Sequence, residues 1–199
     1  MNSAFWREVL VTLAIALVVY LGINFSLQNA EVLGQSMEPN LHHGERVFIN
    51  KLAYRFGGNP QRGDIIVFVP PKELASENDY VKRIIGLPGE RVKTENGHVY
   101  IIKPDSTEVL LDESKYVAQP TIGYYVSDVI PAEHYFVMGD NRNNSGDSRG
   151  GWTVPRSDIV GRAWIVIWPP SQWGRAPNYK LPAVLSPLFI TRLVLANLF

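Results

Sequence analysis

The chain has 199 residues, with 19 lysine plus arginine against 19 aspartate plus glutamate, four histidines and no cysteine. That length suits one domain, or one with a small appendage. A cancelled charge with no basic stretch offers nucleic acid no face to bind, and the lack of cysteine excludes a disulfide framework, a thiolate nucleophile and a thiolate metal site. His42, His43, His98 and His134 show no HExxH or other ligand spacing, so neither a metal centre nor a cofactor is expected.

The first element is an uncharged apolar run, Val9 to Leu27. As a helix it would be roughly 28 Å long, close to the hydrocarbon thickness of a bilayer. A buried core helix would show a polar face, but Thr12, Tyr20, Asn24 and Ser26 are sparse and mild. A cleavable signal peptide would be shorter and leave through small residues, whereas Gln28 stands where one is needed. The run therefore reads as a retained single-pass anchor in contact with the lipid bilayer. Arg7, partly offset by Glu8, places residues 1–8 in the cytoplasm, residues 9–27 in the membrane and the domain beyond on the far side. Eight residues separate Leu27 from Ser36, and fully extended they reach at most about 30 Å. Ser36 must work near the membrane surface.

From there the patterning is that of strands. Glu45 to Lys51 has an apolar centre between charged ends, and Gly63-Asp64 opens the β-branched run Ile65 to Val69, closed by Pro70-Pro71. Residues 72–78 read as a loop and Tyr80 to Ile85 as another strand. Asn96-Gly97, between Arg91-Val92-Lys93 and His98 to Ile102, is the strongest hairpin signal. Residues from about 91 to 133 read as a β-ribbon elaboration on the core. His134 to Met138 is a strand feeding Gly139, and Ile159 to Trp168 is a closing strand. The fold class is mainly β over residues 28–180. Residues 181–199 form an apolar tail interrupted by Pro182, Pro187 and Arg192, which allows at most a short helix from about Pro187, in contact with the membrane interface.

Three stretches carry the chemistry. In Gly34-Gln35-Ser36-Met37-Glu38-Pro39-Asn40-Leu41, Pro39 lacks a backbone N–H and restricts Glu38, so Ser36 lies where regular structure is interrupted. Such a position presents a hydroxyl to a cleft, or is an ordinary loop serine. In Tyr80-Val81-Lys82-Arg83-Ile84-Ile85, Tyr80, Lys82 and Ile84 share one face of a strand. A free lysine is only about one part in two thousand neutral near pH 7, but burial among apolar neighbours brings its pKa to about 7–8 and makes it a base. The other reading is a solvated lysine on an edge strand. Gly139 to Arg149 is rich in glycine, asparagine, aspartate and serine, as any surface turn is; its spacing does not fit a calcium loop.

Together these stretches, with Gly63 to Phe68, resemble the type I signal peptidases, membrane-bound serine peptidases with a Ser-Lys pair. The resemblance covers the anchor and nearly the whole domain beyond it. It implies a signal-peptidase-like complex β fold behind one transmembrane helix. Ser36 is then the nucleophile, Lys82 the general base, and the Ser36 backbone N–H the oxyanion donor. It further implies that Ser145 hydrogen-bonds and orients the base, and that Asp147 and Arg149 form a supporting ion pair. Many members carry a second oxyanion donor, a hydroxyl two residues before the nucleophile, where this chain has Gly34; a lost donor of that kind is worth about 3 kcal/mol. Asn40, Asn143 and Gly150-Gly151-Trp152 are further departures. The implied substrates are signal peptides of exported preproteins, bound extended with Val32, Met37, Leu41, Tyr80 and Val81 lining pockets for small residues at an Ala-X-Ala-like cut. The implied setting is a monomer in a bacterial plasma membrane or a thylakoid membrane, with the active domain extracytoplasmic. The competing readings are another Ser-Lys protease of the same fold, opposed by the anchor and by the lack of a DNA-binding domain, and a non-catalytic tethered β-domain that binds a partner.

Overall fold

The structure, a computed structural model, describes residues 3–74, 76, 78–181 and 183–185. The first helix, α1, runs Ser3–Ser26. It begins six residues before the uncharged run, because Phe5 and Trp6 extend the apolar surface past Arg7 and Glu8. Along most of its length its apolar side chains are uncovered by the described residues: Leu10, Val18 and Leu21 are all more than half exposed. A helix of that length, apolar on every side and uncovered by protein, is consistent with a single-pass membrane anchor.

α1 passes without a loop into β1 (Leu27–Glu31), which pairs antiparallel with β2 (Arg46–Asn50) from Leu27↔Asn50 to Glu31↔Arg46. The following strands are β3 (Ile65–Phe68), β4 (Tyr80–Gly86), β5 (Arg91–Glu95), β6 (His98–Ile102), β7 (Glu108–Leu111), β8 (Tyr125–Val126), β9 (His134–Met138), β10 (Val154–Pro155), β11 (Ile159–Trp168), β12 (Gly174–Arg175) and β13 (Ala183–Leu185). Among the described residues they form two sheets. The larger runs β1-β2-β11-β3-β4-β9-β10, with β12 on β11; the smaller runs β13-β7-β6-β5-β8. The fold is mainly β with one N-terminal apolar helix, as the sequence pattern implies.

The β-branched run became β3, buried at all four positions between β11 and β4. Asn96 and Gly97, both at positive φ (51° and 85°), turn the β5–β6 hairpin in register Glu95↔His98, the geometry of a two-residue turn. Two placements differ from the sequence reading. β11 does not close the sheet but lies inside it between β2 and β3, because its ten residues are long enough to pair on both sides. Residues 183–185 are not free tail: they add a strand to β7. The helix and interfacial contact expected farther along the tail fall outside the described residues. Ile85, Phe136 and Met138 of the larger sheet pack with Val92, Val99, Ile101 and Leu111 of the smaller, which fixes the elaboration to the core.

The sheet positions the cleft. β3 pairs with β4 over Tyr80 to Arg83, but β9 pairs with β4 only from Arg83 onward. At Gly139 the chain leaves β9 and crosses toward the Ser36 turn, so one edge of Tyr80–Lys82 stays unpaired.

Candidate active site

Ser36 lies in a compact turn just after β1, in which Asn40 and Leu41 donate to Met37 O at 2.9 and 3.0 Å. Lys82 projects from β4 and its Nζ donates to Ser36 Oγ at 2.7 Å and to Val81 O at 3.1 Å. Lys82 is 5% exposed, and its amine stands 5.3 Å from the centre of the Tyr80 ring. Burial brings the Lys82 pKa down from an ordinary 10.5 to about 8, while the charges of Asp147 and Asp140 oppose that fall. Each of these carboxylates is occupied by its own guanidinium. Asp147 accepts from Arg149 Nε and Nη2, both at 2.8 Å, and Asp140 accepts from Arg83 Nε and Nη2, both at 2.7 Å. The acidic groups nearest the amine are thereby kept from holding it as an ammonium.

Gly139 makes the close approach possible. A Cβ there would lie 2.3 Å from Ser145 Oγ and 2.4 Å from Ser36 O, distances no side chain tolerates. Asp147 Oδ2 accepts from Gly139 N at 3.1 Å, and Arg149 Nη2 donates to Arg142 O at 2.6 Å, so the Asp147–Arg149 pair ties the crossing segment to itself.

A cleft of about 320 Å³ brings together Ser36 and Lys82 with Val32, Gly34, Met37, Tyr80 and Val81. Leu41 is not among its walls: it is fully buried and packs with Ile65 and Val67, because the turn after Ser36 points it into the sheet. Ser145 sits over Gly139 with its Oγ buried and without a hydrogen-bond partner among the described residues, so the expected bond to Lys82 is not formed; the amine is turned to Val81 O instead. Gly34 has φ +84° and its N–H donates to His43 Nδ1 at 3.0 Å. The Ser36 N–H has no partner among the described residues and is free for a ligand.

Sequence reasoning missed Leu33, Gln35, Asn78, Asp79 and Asn144, which also line the cleft, and Asn141, which donates to Ser36 O and Gln35 O. Leu33 and Gln35 lie within three residues of Ser36 and were open to being found by proximity. The asparagines carry no signal beyond a turn-rich stretch. No cluster of histidine, aspartate and glutamate suited to a metal ion occurs among the described residues.

A mainly β fold behind an apolar helix, with a serine hydroxyl against a buried amine, defines a serine endopeptidase carried on an N-terminal membrane segment. Comparison with known proteins makes this specific. The profile of the family described as "Signal peptidase, peptidase S26" matches residues 6–168. A probable signal peptidase I-2 from Synechocystis sp. is 39% identical over 168 residues, covering 82% of this chain and 74% of that protein. A signal peptidase I from Bacillus amyloliquefaciens is 38% identical over 171 residues, covering 82% of this chain and 87% of the other. A crystal structure of a signal peptidase I from Enterococcus faecalis V583 aligns with a TM-score of 0.42 at 30% identity, over 52% of this chain and 96% of its own. The chain belongs to the peptidase S26 family of signal peptidases, and its reaction is the removal of signal peptides from preproteins.

Proposed function

We propose that Ser36 is the nucleophile and Lys82 the general base of this reaction. The observation that carries the assignment is the 2.7 Å contact between a buried amine and the Ser36 hydroxyl beside an unpaired strand edge. A drop in pKa from 10.5 to about 8 raises the neutral amine from a trace to roughly one part in ten at pH 7, which removes about 3 kcal/mol of barrier. Neutral Lys82 accepts the Ser36 proton while Ser36 Oγ attacks the scissile carbonyl and the Ser36 N–H holds the oxyanion. The proton then passes to the leaving amine, the mature protein departs, and the signal peptide remains as an ester on Ser36. Water deprotonated by Lys82 cleaves that ester and restores the hydroxyl. The ammonium formed in each half-reaction has three N–H groups. Ser36 and Val81 O take two, and the third is assigned to the Ser145 hydroxyl, which has no other partner among the described residues. Asp147 and Arg149 hold the segment that carries Ser145.

The signal peptide binds extended between residues 33–35 and the open edge of Tyr80–Lys82, adding a strand to each. Val32, Met37, Tyr80 and Val81 shape the cleft for small side chains at an Ala-X-Ala-like cut. Leu41 supports Met37 from the core. Residues 28–180 work as an extracytoplasmic domain, in a bacterial plasma membrane or a thylakoid membrane, with residues 1–8 in the cytoplasm. All the groups named come from one chain, which suits a monomer.

The deciding experiment is cleavage of a preprotein in detergent by purified variants. Ser36→Ala and Lys82→Ala are each expected to lose at least about 10³-fold in kcat with a wild-type circular dichroism spectrum. Wild-type turnover in either variant would remove the assignment.

A further inference from the structure

The peptide unit joining Gln35 to Ser36 is one rigid plate, with the Gln35 carbonyl on one side and the Ser36 N–H on the other. The direction of the oxyanion donor is therefore set by whatever holds the carbonyl. Asn141 holds it: its Nδ2 donates to Gln35 O at 3.1 Å. The backbone N–H of the same residue donates to Ser36 O at 3.0 Å, so Asn141 grips two successive carbonyls around the nucleophile. The other donor to Gln35 O is Glu38 N–H, at 3.2 Å, from within the same turn.

The neighbouring position shows why this grip matters. Gly34 has no hydroxyl to aim at an oxyanion, and its φ of +84° is one that residues with side chains rarely adopt, although a Cβ there would meet nothing within 4 Å. The Ser36 N–H thus acts without the side-chain partner that this position could supply, and its aim and strength count for more. A hydrogen bond accepted by a carbonyl polarises its amide and makes the opposite N–H a better donor.

We infer that Asn141 is a positioning residue of the oxyanion hole: its side-chain amide fixes and polarises the Gln35–Ser36 peptide plane so that the Ser36 N–H points at the developing oxyanion. The inference rests on Ser36 being the nucleophile. Asn143 serves as the internal control from the same segment, since its Nδ2 donates to Pro120 O at 3.0 Å and its Oδ1 accepts from Ile122 N–H at 3.0 Å, with no bond to the peptide plane.

The test uses the full-length enzyme in detergent with a fluorogenic signal-peptide substrate and a peptide aldehyde inhibitor, whose hemiacetal places an oxygen where the oxyanion forms. Asn141→Ala is expected to lower kcat about 10- to 100-fold with KM within about threefold of wild type, and to weaken aldehyde inhibition in proportion to kcat/KM. The midpoint of the pH–rate profile should stay in place, since Lys82 is untouched. Asn141→Asp keeps the size but turns an acceptor toward Gln35 O; it should fall at least as far, and it serves if the alanine variant does not fold. Asn143→Ala should remain within about threefold in every parameter. Equal losses at positions 141 and 143, a KM rise matching the kcat loss, or a moved pH midpoint would each overturn the inference. Wild-type kcat in Asn141→Ala beside an inactive Ser36→Ala removes this inference alone. Activity in Ser36→Ala removes the site assignment beneath it.

Discussion

Lys82, the proposed base, shows how a fold draws a residue that is ordinarily a cation toward its neutral form. Its ammonium is buried, and the two carboxylates able to neutralise it are each clasped by an arginine. Activity should therefore rise with pH through a midpoint near 8, measured as kcat/KM against a soluble substrate; a flat profile from pH 6 to 9 would contradict the buried amine. Stability runs with the same sign. Between about pH 8 and 10.5 the unfolded chain keeps a proton on this lysine that the folded chain has lost, so stability rises with pH across that window. Below it the burial penalty is fully present. Lys82→Met should accordingly stabilise the fold by about 1–3 kcal/mol in urea titrations at pH 7, with the gain shrinking toward pH 10.5. That Ser36 and Lys82 meet was legible because their stretches have a distinctive order along the chain. The state of Ser145 was not, since whether a hydroxyl finds a partner depends on torsions that no residue pattern encodes.

Neighbouring residues on β4 face opposite ways and do opposite work: Lys82 turns to the cleft, and Arg83 turns to the interior, fully buried. Arg83 also donates to Gly63 O at 2.8 Å and Pro177 O at 2.9 Å, and its guanidinium stands 4.5 Å from the Tyr116 ring. The Asp140 end of its ion pair marks the point where the chain parts from β9 and leaves the edge of Tyr80–Lys82 open. Asp140→Ala strands a charge in the interior, so it should cost roughly 3–5 kcal/mol in thermal or urea unfolding. A loss under 1 kcal/mol would mean that the pair does not hold the crossing segment. Strands were readable as short apolar or β-branched runs bounded by charges, glycine and proline, and the β5–β6 hairpin from Asn96-Gly97. The interior place of β11, the strand at 183–185 and the Arg83–Asp140 pair depend on partners far away in sequence, which local patterning does not reach.

At the scale of the molecule, the notable joint is the one between α1 and the larger sheet. Lys51 donates from its backbone N–H to Ser26 O at 2.9 Å and from Nζ to Asn24 O at 2.7 Å, so the residue just after β2 caps the last turn of the helix. Arg55 lies over the Phe25 ring at 4.7 Å and braces the same end. Inserting a flexible Gly-Ser-Gly-Ser segment after Ser26 should leave hydrolysis of a soluble peptide unchanged. Cleavage of a precursor embedded in vesicles should fall by about tenfold, or lose its preference for one peptide bond. Identical behaviour toward both substrates would show that the joint carries no constraint.

That braced joint works as a measuring rod. With α1 in a bilayer and no hinge between spar and blade, the cutting edge would travel at a single altitude above the lipid, and a passing chain would be severed only where its own anchor lifts a suitable bond to that level. Sequence at the cut then decides among the few bonds that altitude has already selected.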